Sequence, residues 1–272
     1  MDYSTWAGRT QTRHDSISPE LVTRIAGTLS EPAPAAGEPL PLLWHWAFFQ
    51  EAVAAELIGE DGHPVTGEFL PEVGSRARMW AGGRLVFNKP LKVGVPAERI
   101  STIERIQEKE GRSGSLLFVT VKHSIYQLNE LMLTEEQDIV YRDPSPYKAA
   151  PGKPAPEAEW REQVDIDPVM LFRYSAVTFN GHRIHYDWRY VTETEGYPGL
   201  VVHGPLTATL VLRTFTKAKP DAVVRSFAFK GVQPIISDQT VEIGGLVESP
   251  GVAHIWAATS NGISQTGQVT FE

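Results

Sequence analysis

Residues 205–215 read PLTATLVLRTF, an almost uncharged run that is followed only by strand-like segments. Proline suits the first turn of a helix, and the near-absence of charge is typical of a helix that is buried. Four segments rich in β-branched and aromatic residues follow, at 222–230, 239–247, 251–259 and 264–271. The last third of the chain therefore predicts a buried helix packed against an antiparallel sheet.

The first half of the chain repeats this organisation less clearly. Ser18 is a suitable N-cap for a helix that begins at Pro19 and runs to about Gly27, and residues 48–57 predict a second, short helix. A turn is predicted at 111–114, and the predicted strands are 84–87, 100–108, 115–123 and 135–141. Together the halves predict an α+β fold with an internal repeat.

A proline-rich segment separates the two halves. Five prolines fall between positions 144 and 156, and proline both blocks helix interiors and removes a donor from a sheet ladder. The predicted domains are therefore residues 1–143 and 157–272, joined by an extended linker at 144–156.

Composition limits the class of protein. The formal net charge is −8, which disfavours a general nucleic-acid binder, and the absence of cysteine excludes disulfides, thiolate metal sites and cysteine nucleophiles. No signal peptide is visible at the N-terminus. The apolar stretch at 39–49 is shorter than the about 20 residues that span a bilayer. We expect a cytoplasmic protein without a membrane or nucleic-acid partner.

The densest group of polar side chains lies at 172–187, which reads FRYSAVTFNGHRIHYD. His182, His185 and Asp187 have spacings that would allow a metal site, although His203 would have to complete it. A structural role for the histidines is the second interpretation. In the third, His185 is a general acid and base and Asn180 orients a water molecule, since histidine titrates near neutral pH.

A glycine-containing turn at 199–205 leads into the predicted buried helix. Glycine at the start of a helix lets a ligand approach backbone N–H groups, and these donors together with the helix dipole favour an oxygen that becomes negative. A plain tight turn is the alternative. Combined with a proton-transferring histidine, such a turn suits chemistry at the carbons next to a thioester carbonyl.

The runs at 174–187 and 196–206 resemble the hydroxyacyl-thioester dehydratase type 2 branch of the MaoC-like, double hot-dog hydratases, which includes mesaconyl-CoA and itaconyl-CoA hydratases. Residues 79–84, 111–114 and 135–142 are similar to further stretches of that family, so that the resemblance covers nearly the whole chain. It implies a fold in which an antiparallel sheet wraps a long central helix twice over. The two copies would form an intrachain pseudo-dimer with the acyl-CoA site between them, and a homodimer is possible.

The resemblance also implies the catalytic residues. The broader hydratase motif has an aspartate followed five residues later by a histidine, and these positions are Asn180 and His185 here. Asparagine cannot take a proton, so His185 would carry the proton transfer while Asn180 holds the water. Gly204 matches the glycine whose N–H polarises the thioester carbonyl. The first half has no comparable motif, which implies one active site per chain. The hydration reaction that the resemblance implies needs neither a metal nor a redox cofactor.

The acyl chain is harder to predict. Arg183 and Arg173 are candidates for pairing with the free carboxylate of a short dicarboxylic acyl group, and Tyr174, His182 and His203 are predicted to contact substrate. The resemblance favours itaconyl-CoA or mesaconyl-CoA. The alternatives are a dehydratase of fatty 3-hydroxyacyl thioesters, a hot-dog thioesterase and a non-catalytic acyl-CoA-binding protein.

Overall fold

The computed structural model describes residues 3–111, 114–144, 147, 148 and 150–272, and in this part of the chain ten strands form one antiparallel sheet. The strands are β1 (Thr10–Asp15), β2 (Ala77–Phe87), β3 (Ala97–Gly111), β4 (Gly114–Gln127), β5 (Glu130–Arg142), β6 (Trp160–Asp165), β7 (Val224–Gly231), β8 (Thr240–Ser249), β9 (Val252–Thr259) and β10 (Gly262–Phe271). The α-helices are α1 (Pro19–Leu29), α2 (Pro168–Val177) and α3 (Gly204–Ala218).

The order of the strands in the sheet confirms the internal repeat. The first half contributes β1-β3-β4-β5-β2 and the second half β7-β10-β9-β8-β6, so each order is the mirror of the other about the β2–β7 pair. Each half begins with a short edge strand followed by a helix, and α1 and α2 pack against each other. This arrangement is a double hot-dog, and the chain forms its own pseudo-dimer.

The seam between β2 and β7 requires backbone without side chains. Gly82 pairs with Lys230 at a β-bulge in β2, and a Cβ atom at Gly82 would overlap the carbonyl oxygen of Phe229. A Cβ at Gly83 would lie 3.1 Å from the Phe229 ring. The two glycines therefore let β2 approach β7 closely enough to join the half-sheets.

The central helix α3 forms as the sequence predicts. It packs on β8, β9 and β10, and its buried residues include Leu206, Leu210, Val211 and Phe215. Helix α1 begins at Pro19 after the Ser18 N-cap, whose Oγ accepts from the Leu21 N–H at 3.2 Å. All eight predicted strands are present, most of them longer than predicted, whereas the edge strands β1 and β6 were not predicted.

Two expectations for the first half are wrong. Residues 48–57 do not form a helix, apart from a single 3₁₀ turn at Ala55–Leu57, and the described residues of this half contain no long central helix. Instead a 3₁₀ turn at Trp44–Ala47 packs with Phe48 and Phe49 into the main core. The prolines at 32, 34, 39 and 41 explain the missing long helix, because each lacks the N–H that a helix needs.

The predicted linker and turn lie partly outside the described residues. Arg112 and Ser113 of the turn are outside, although the flanking residues Gly111 and Gly114 pair in the β3–β4 ladder. Ser145, Pro146 and Ala149 of the linker are also outside, and between β5 and β6 the remaining described residues form neither helix nor strand. The domain boundaries stay predictions.

No helix in the described part of the chain is both long enough and apolar enough to cross a bilayer. The cytoplasmic location stays a prediction.

Replacing Leu210 by Ala should lower the free energy of unfolding by about 3 kcal/mol, because the side chain is fully buried in α3 and its removal leaves a cavity. Urea unfolding of wild type and variant measures this. The control is Leu128→Ala, the same substitution at a side chain that is 80% exposed, where a change within about 0.5 kcal/mol is expected. Equal losses in the two variants would show that α3 is not the core of the second half.

Candidate active site

The polar run at 172–187 folds as a helix, a tight turn and a 3₁₀ turn. Asp167 caps α2 by accepting from the Met170 N–H at 2.7 Å, and the helix ends at Val177. Phe179 then adopts a positive φ of 51°, which reverses the chain. The Asn180 Oδ1 accepts from the His182 N–H at 2.9 Å and so shapes the turn, after which Arg183–His185 forms the 3₁₀ turn that carries the histidine.

His185 is held in a defined tautomer. Its Nδ1 donates to the Val201 carbonyl oxygen at 2.7 Å, so that in the neutral ring Nε2 is an acceptor. The residue is buried, and burial lowers the pKa of His185 to about 4, although the hydrogen bond to Val201 opposes the shift. At neutral pH the ring is therefore a free base with its lone pair at Nε2.

His203 supports His185 from one side. The two imidazole rings stack with centroids 3.6 Å apart and planes inclined by 19°. His203 is completely buried, its Nε2 is 2.8 Å from the Ser175 Oγ, and the Tyr174 ring meets it edge-on at 5.0 Å. Burial lowers the pKa of His203 well below its ordinary value, so the stack consists of two neutral rings. Burial also raises the pKa of Tyr174, which hydrogen-bonds to Thr209.

Gly204 begins α3 directly after His203. As the first residue of the helix it has a backbone N–H without an intrahelical acceptor, while its carbonyl oxygen accepts from the Gln265 Nε2 at 3.1 Å. A Cβ at this position would meet only the Trp80 carbonyl oxygen, at 4.0 Å. Packing within the protein thus does not require glycine here, whereas the close approach of a ligand to the backbone would benefit from it.

The predicted arginines are placed differently from one another. The Arg183 guanidinium bonds the Asp187 carboxylate at 2.8 and 3.0 Å and the Glu60 carbonyl at 3.1 Å, and it lies over the Tyr190 ring at 4.2 Å. These hydrogen bonds use three of the five guanidinium N–H groups, and Asp187 balances the charge. Arg173 is exposed on α2, and its Nη2 lies beside Gly27 of α1. Their role in binding substrate stays a prediction.

A loop of the first half, which the sequence analysis missed, docks on the motif. The Asp61 carbonyl accepts from the Arg183 N–H at 2.9 Å, and a Cβ at Gly62, where φ is +89°, would overlap the Gly181 carbonyl oxygen. His63 donates from Nδ1 to the Asp61 carboxylate at 2.8 Å, and its ring lies 4.2 Å from that of His182. The DGH sequence at 61–63 was a visible turn signal, but nothing in it indicated a contact about 120 residues away.

The ligand atoms of Asp61, His63 and His182 lie within 4.8 Å of one another, so that this group could in principle hold a metal ion. Two imidazoles and a carboxylate would suit a divalent transition metal. The His63 Nδ1, however, is already engaged with Asp61, and the positive charge of Arg78 acts on both histidines. The arrangement fits a hydrogen-bonded pair better than a cation site, and the absence of a metal or cofactor stays a prediction.

The comparisons with known proteins agree with this architecture. The model of the family "Hydroxyacyl-thioester dehydratase type 2" matches residues 43–237. Mesaconyl-C(4)-CoA hydratase of Chloroflexus aurantiacus is 45% identical over 240 residues, which cover 86% of this chain and 85% of that protein. A solved MaoC-like dehydratase superposes with a TM-score of 0.72 at 16% identity, over 98% of both chains. A Mycobacterium tuberculosis protein described as a double hotdog fold has a TM-score of 0.58 at 12% identity and covers 98% of this chain and 96% of its own.

The fold and these similarities together define a MaoC-like hydro-lyase with two hot-dog halves in one chain. Within that class, the chain belongs to the hydroxyacyl-thioester dehydratase type 2 family.

Because His185 is neutral when folded, stability should fall as the pH is lowered from about 6.5, where the unfolded residue begins to bind a proton, to about 4. Between pH 7 and pH 5 this residue alone should cost on the order of 2 kcal/mol. Urea unfolding at the two pH values should show a smaller loss for His185→Gln than for wild type.

The control for that measurement is His14→Gln, the same substitution at an exposed histidine. Equal losses of stability in wild type and His185→Gln would mean that His185 is not held neutral by burial.

Proposed function

We propose that the protein catalyses the reversible addition of water to a short dicarboxylic enoyl-CoA of the mesaconyl-CoA or itaconyl-CoA type. The observation that carries this proposal is the pairing of a neutral, oriented imidazole at His185 with the open backbone N–H of Gly204. The similarity to mesaconyl-C(4)-CoA hydratase supports the choice of acyl group.

The hydrogen bond to Val201 fixes where the proton goes. The His185 Nε2 accepts a proton from water while the water oxygen bonds to the β carbon of the enoyl thioester. The electrons of the double bond move toward the thioester oxygen, which accepts a hydrogen bond from the Gly204 N–H at the positive end of α3. Protonated His185 then returns its proton to the α carbon, so that one water is added and the enzyme is regenerated.

Asn180 holds the water in this scheme. Its Oδ1 accepts from the His182 N–H, which leaves the side-chain NH₂ as a donor to a water oxygen. A water that accepts from Asn180 and donates to His185 keeps a lone pair for attack on the β carbon. Asparagine performs this task without taking a proton.

The thioesterase alternative lacks the carboxylate that such an enzyme usually carries near its central helix. Helix α3 reads GPLTATLVLRTFTKA and contains neither aspartate nor glutamate. The family description leaves fatty 3-hydroxyacyl thioesters as the second candidate substrate class, which the choice of acyl chains in the assay distinguishes.

Purified protein should add one water to mesaconyl-CoA or itaconyl-CoA, and His185→Gln should reduce kcat by about a factor of 100 or more, because the glutamine amide cannot take the proton from water. Mass spectrometry of the products measures both. Release of free CoA would indicate a thioesterase. A His185→Gln variant with nearly wild-type turnover would overturn the assignment of the base.

The role of the Gly204 N–H can be isolated with two substitutions. Gly204→Pro removes the donor at a helix position where proline is tolerated, and the extended backbone of His203 (φ −61°, ψ 130°) is compatible with a following proline. We expect kcat to fall about 100-fold or more.

Gly204→Ala is the matched control, because it keeps the N–H and its methyl group meets only the Trp80 carbonyl oxygen at 4.0 Å. It should retain more activity than Gly204→Pro, because its methyl group hinders the approach of the acyl thioester but leaves the N–H donor in place. Steady-state kinetics of both variants decides the question. Equal activity in Gly204→Pro and wild type would remove Gly204 from the mechanism.

A further inference from the structure

Arg78 lies on β2 at the edge of the candidate active site. In the β2–β5 ladder it pairs with Tyr141, which is 1% exposed, and the positive charge of Arg78 opposes the rise that burial causes in the pKa of the tyrosine. Two residues further along β2 is Trp80, whose carbonyl oxygen faces Gly204. The same strand therefore carries Arg78 and borders the proposed oxyanion donor.

The charge of Arg78 reaches the motif histidines. Burial is the main cause of the low pKa of His63 and of His182, and the Arg78 guanidinium lowers both further. The His182 ring in turn meets the His185 ring edge-on at 5.3 Å. Arg78 therefore acts electrostatically on His182, the ring that contacts the proposed base.

This guanidinium differs from those of the neighbouring arginines in having no carboxylate partner among the described residues. Arg76 pairs with Glu108 and Asp143, Arg84 with Glu136 and Asp138, and Arg183 with Asp187. The nearby Asp61 carboxylate is engaged by His63. A half-buried arginine without a counter-ion, beside neutral rings, favours an anionic ligand.

The chemistry of the proposed substrate supplies such an anion at this distance. The free carboxylate of a mesaconyl-C4 thioester is attached to its β carbon, the atom that the water attacks. With the thioester oxygen at Gly204 and the water at His185, the carboxylate must lie close to His185, on the side away from the CoA. Among the described residues, Arg78 is a positively charged group near this position that forms no ion pair with a carboxylate of the protein.

We propose that Arg78, which lies opposite Tyr141 in the β2–β5 ladder, forms a subsite for the free carboxylate on the β carbon of the acyl group. This inference rests on the proposed function and deepens it, and it favours Arg78 over Arg183, whose charge the Asp187 carboxylate already balances. The fork of the guanidinium suits a carboxylate, and it would also orient the β carbon toward the water.

The test uses two ligands that the enzyme cannot hydrate. Succinyl-CoA carries a carboxylate on its β carbon, whereas butyryl-CoA carries a methyl group there. The ratio of their dissociation constants, measured by calorimetry, therefore reports how strongly the protein binds the carboxylate. Wild type should bind succinyl-CoA at least about tenfold more tightly. Arg78→Met should abolish this preference while binding butyryl-CoA as wild type does.

Three further variants make the result decisive. Arg84→Met changes an exposed, ion-paired arginine of the same strand and should keep the preference. Arg183→Met should keep it as well, and a loss there would overturn the assignment to Arg78. Arg78→Gln retains a polar group toward Tyr141 and should behave as Arg78→Met does.

The remaining outcomes separate the inference from the proposed function. No preference in wild type, or a preference that survives both Arg78 variants, overturns the inference. Loss of butyryl-CoA binding in both would also overturn it, because Arg78 would then support the whole site. A preference that depends on Arg78 in a protein that hydrates no enoyl-CoA would support the subsite and overturn the proposed hydratase function.

Discussion

The close approach of β2 to β7 is the constraint on which the rest of the molecule depends. Because Gly82 and Gly83 leave room for the backbone and ring of Phe229, two five-stranded half-sheets become one ten-stranded sheet. That junction brings the Trp80 carbonyl oxygen of the first half within 4.0 Å of where a Cβ at Gly204 of the second half would lie. It also aligns the halves so that the loop at 59–63 reaches Gly181. A side chain at Gly82 would therefore disturb the active site as well as the sheet.

Burial of the histidines connects the stability of the fold to its chemistry. His182, His185 and His203 lie together where ionisation is costly, and their mutual repulsion would add to the cost if they were protonated. The dry surroundings that keep His185 a free base also strengthen the hydrogen bond that an N–H at Gly204 gives to a developing oxyanion. The first half instead contains a buried carboxylate, that of Glu135. Hydrogen-bond donors from His45, Trp46 and Gln137 compensate its burial.

The sequence predicted the elements whose signals are local. Eight strands, α1 and α3 have clear periodicity, caps or apolar runs, and the motif at 174–187 indicated where the chemistry lies. The edge strands β1 and β6 were missed because each has only six residues and most of these are polar. Such short polar segments lack the apolar pattern from which a strand is predicted, although they can pair at the edge of a sheet. The long helix expected in the first half does not form because four prolines interrupt the segment ahead of Leu43. Arg78, Asp61 and His63 could not be predicted at all, since their proximity to His182 depends on how the halves meet.

The two halves have diverged into complementary roles. The second half supplies His185, the base of the proposed mechanism, and the N-terminus of α3, while the first supplies the strand β2 and the loop at 59–63 that border them. In this setting asparagine at position 180 has a physical advantage over aspartate for the proposed mechanism. A carboxylate beside His182 and His185 would raise the pKa of both rings and favour an ion pair that binds the catalytic proton. The amide orients water without adding charge, so that His185 stays neutral and the positive charge of Arg78 remains available to an anionic substrate.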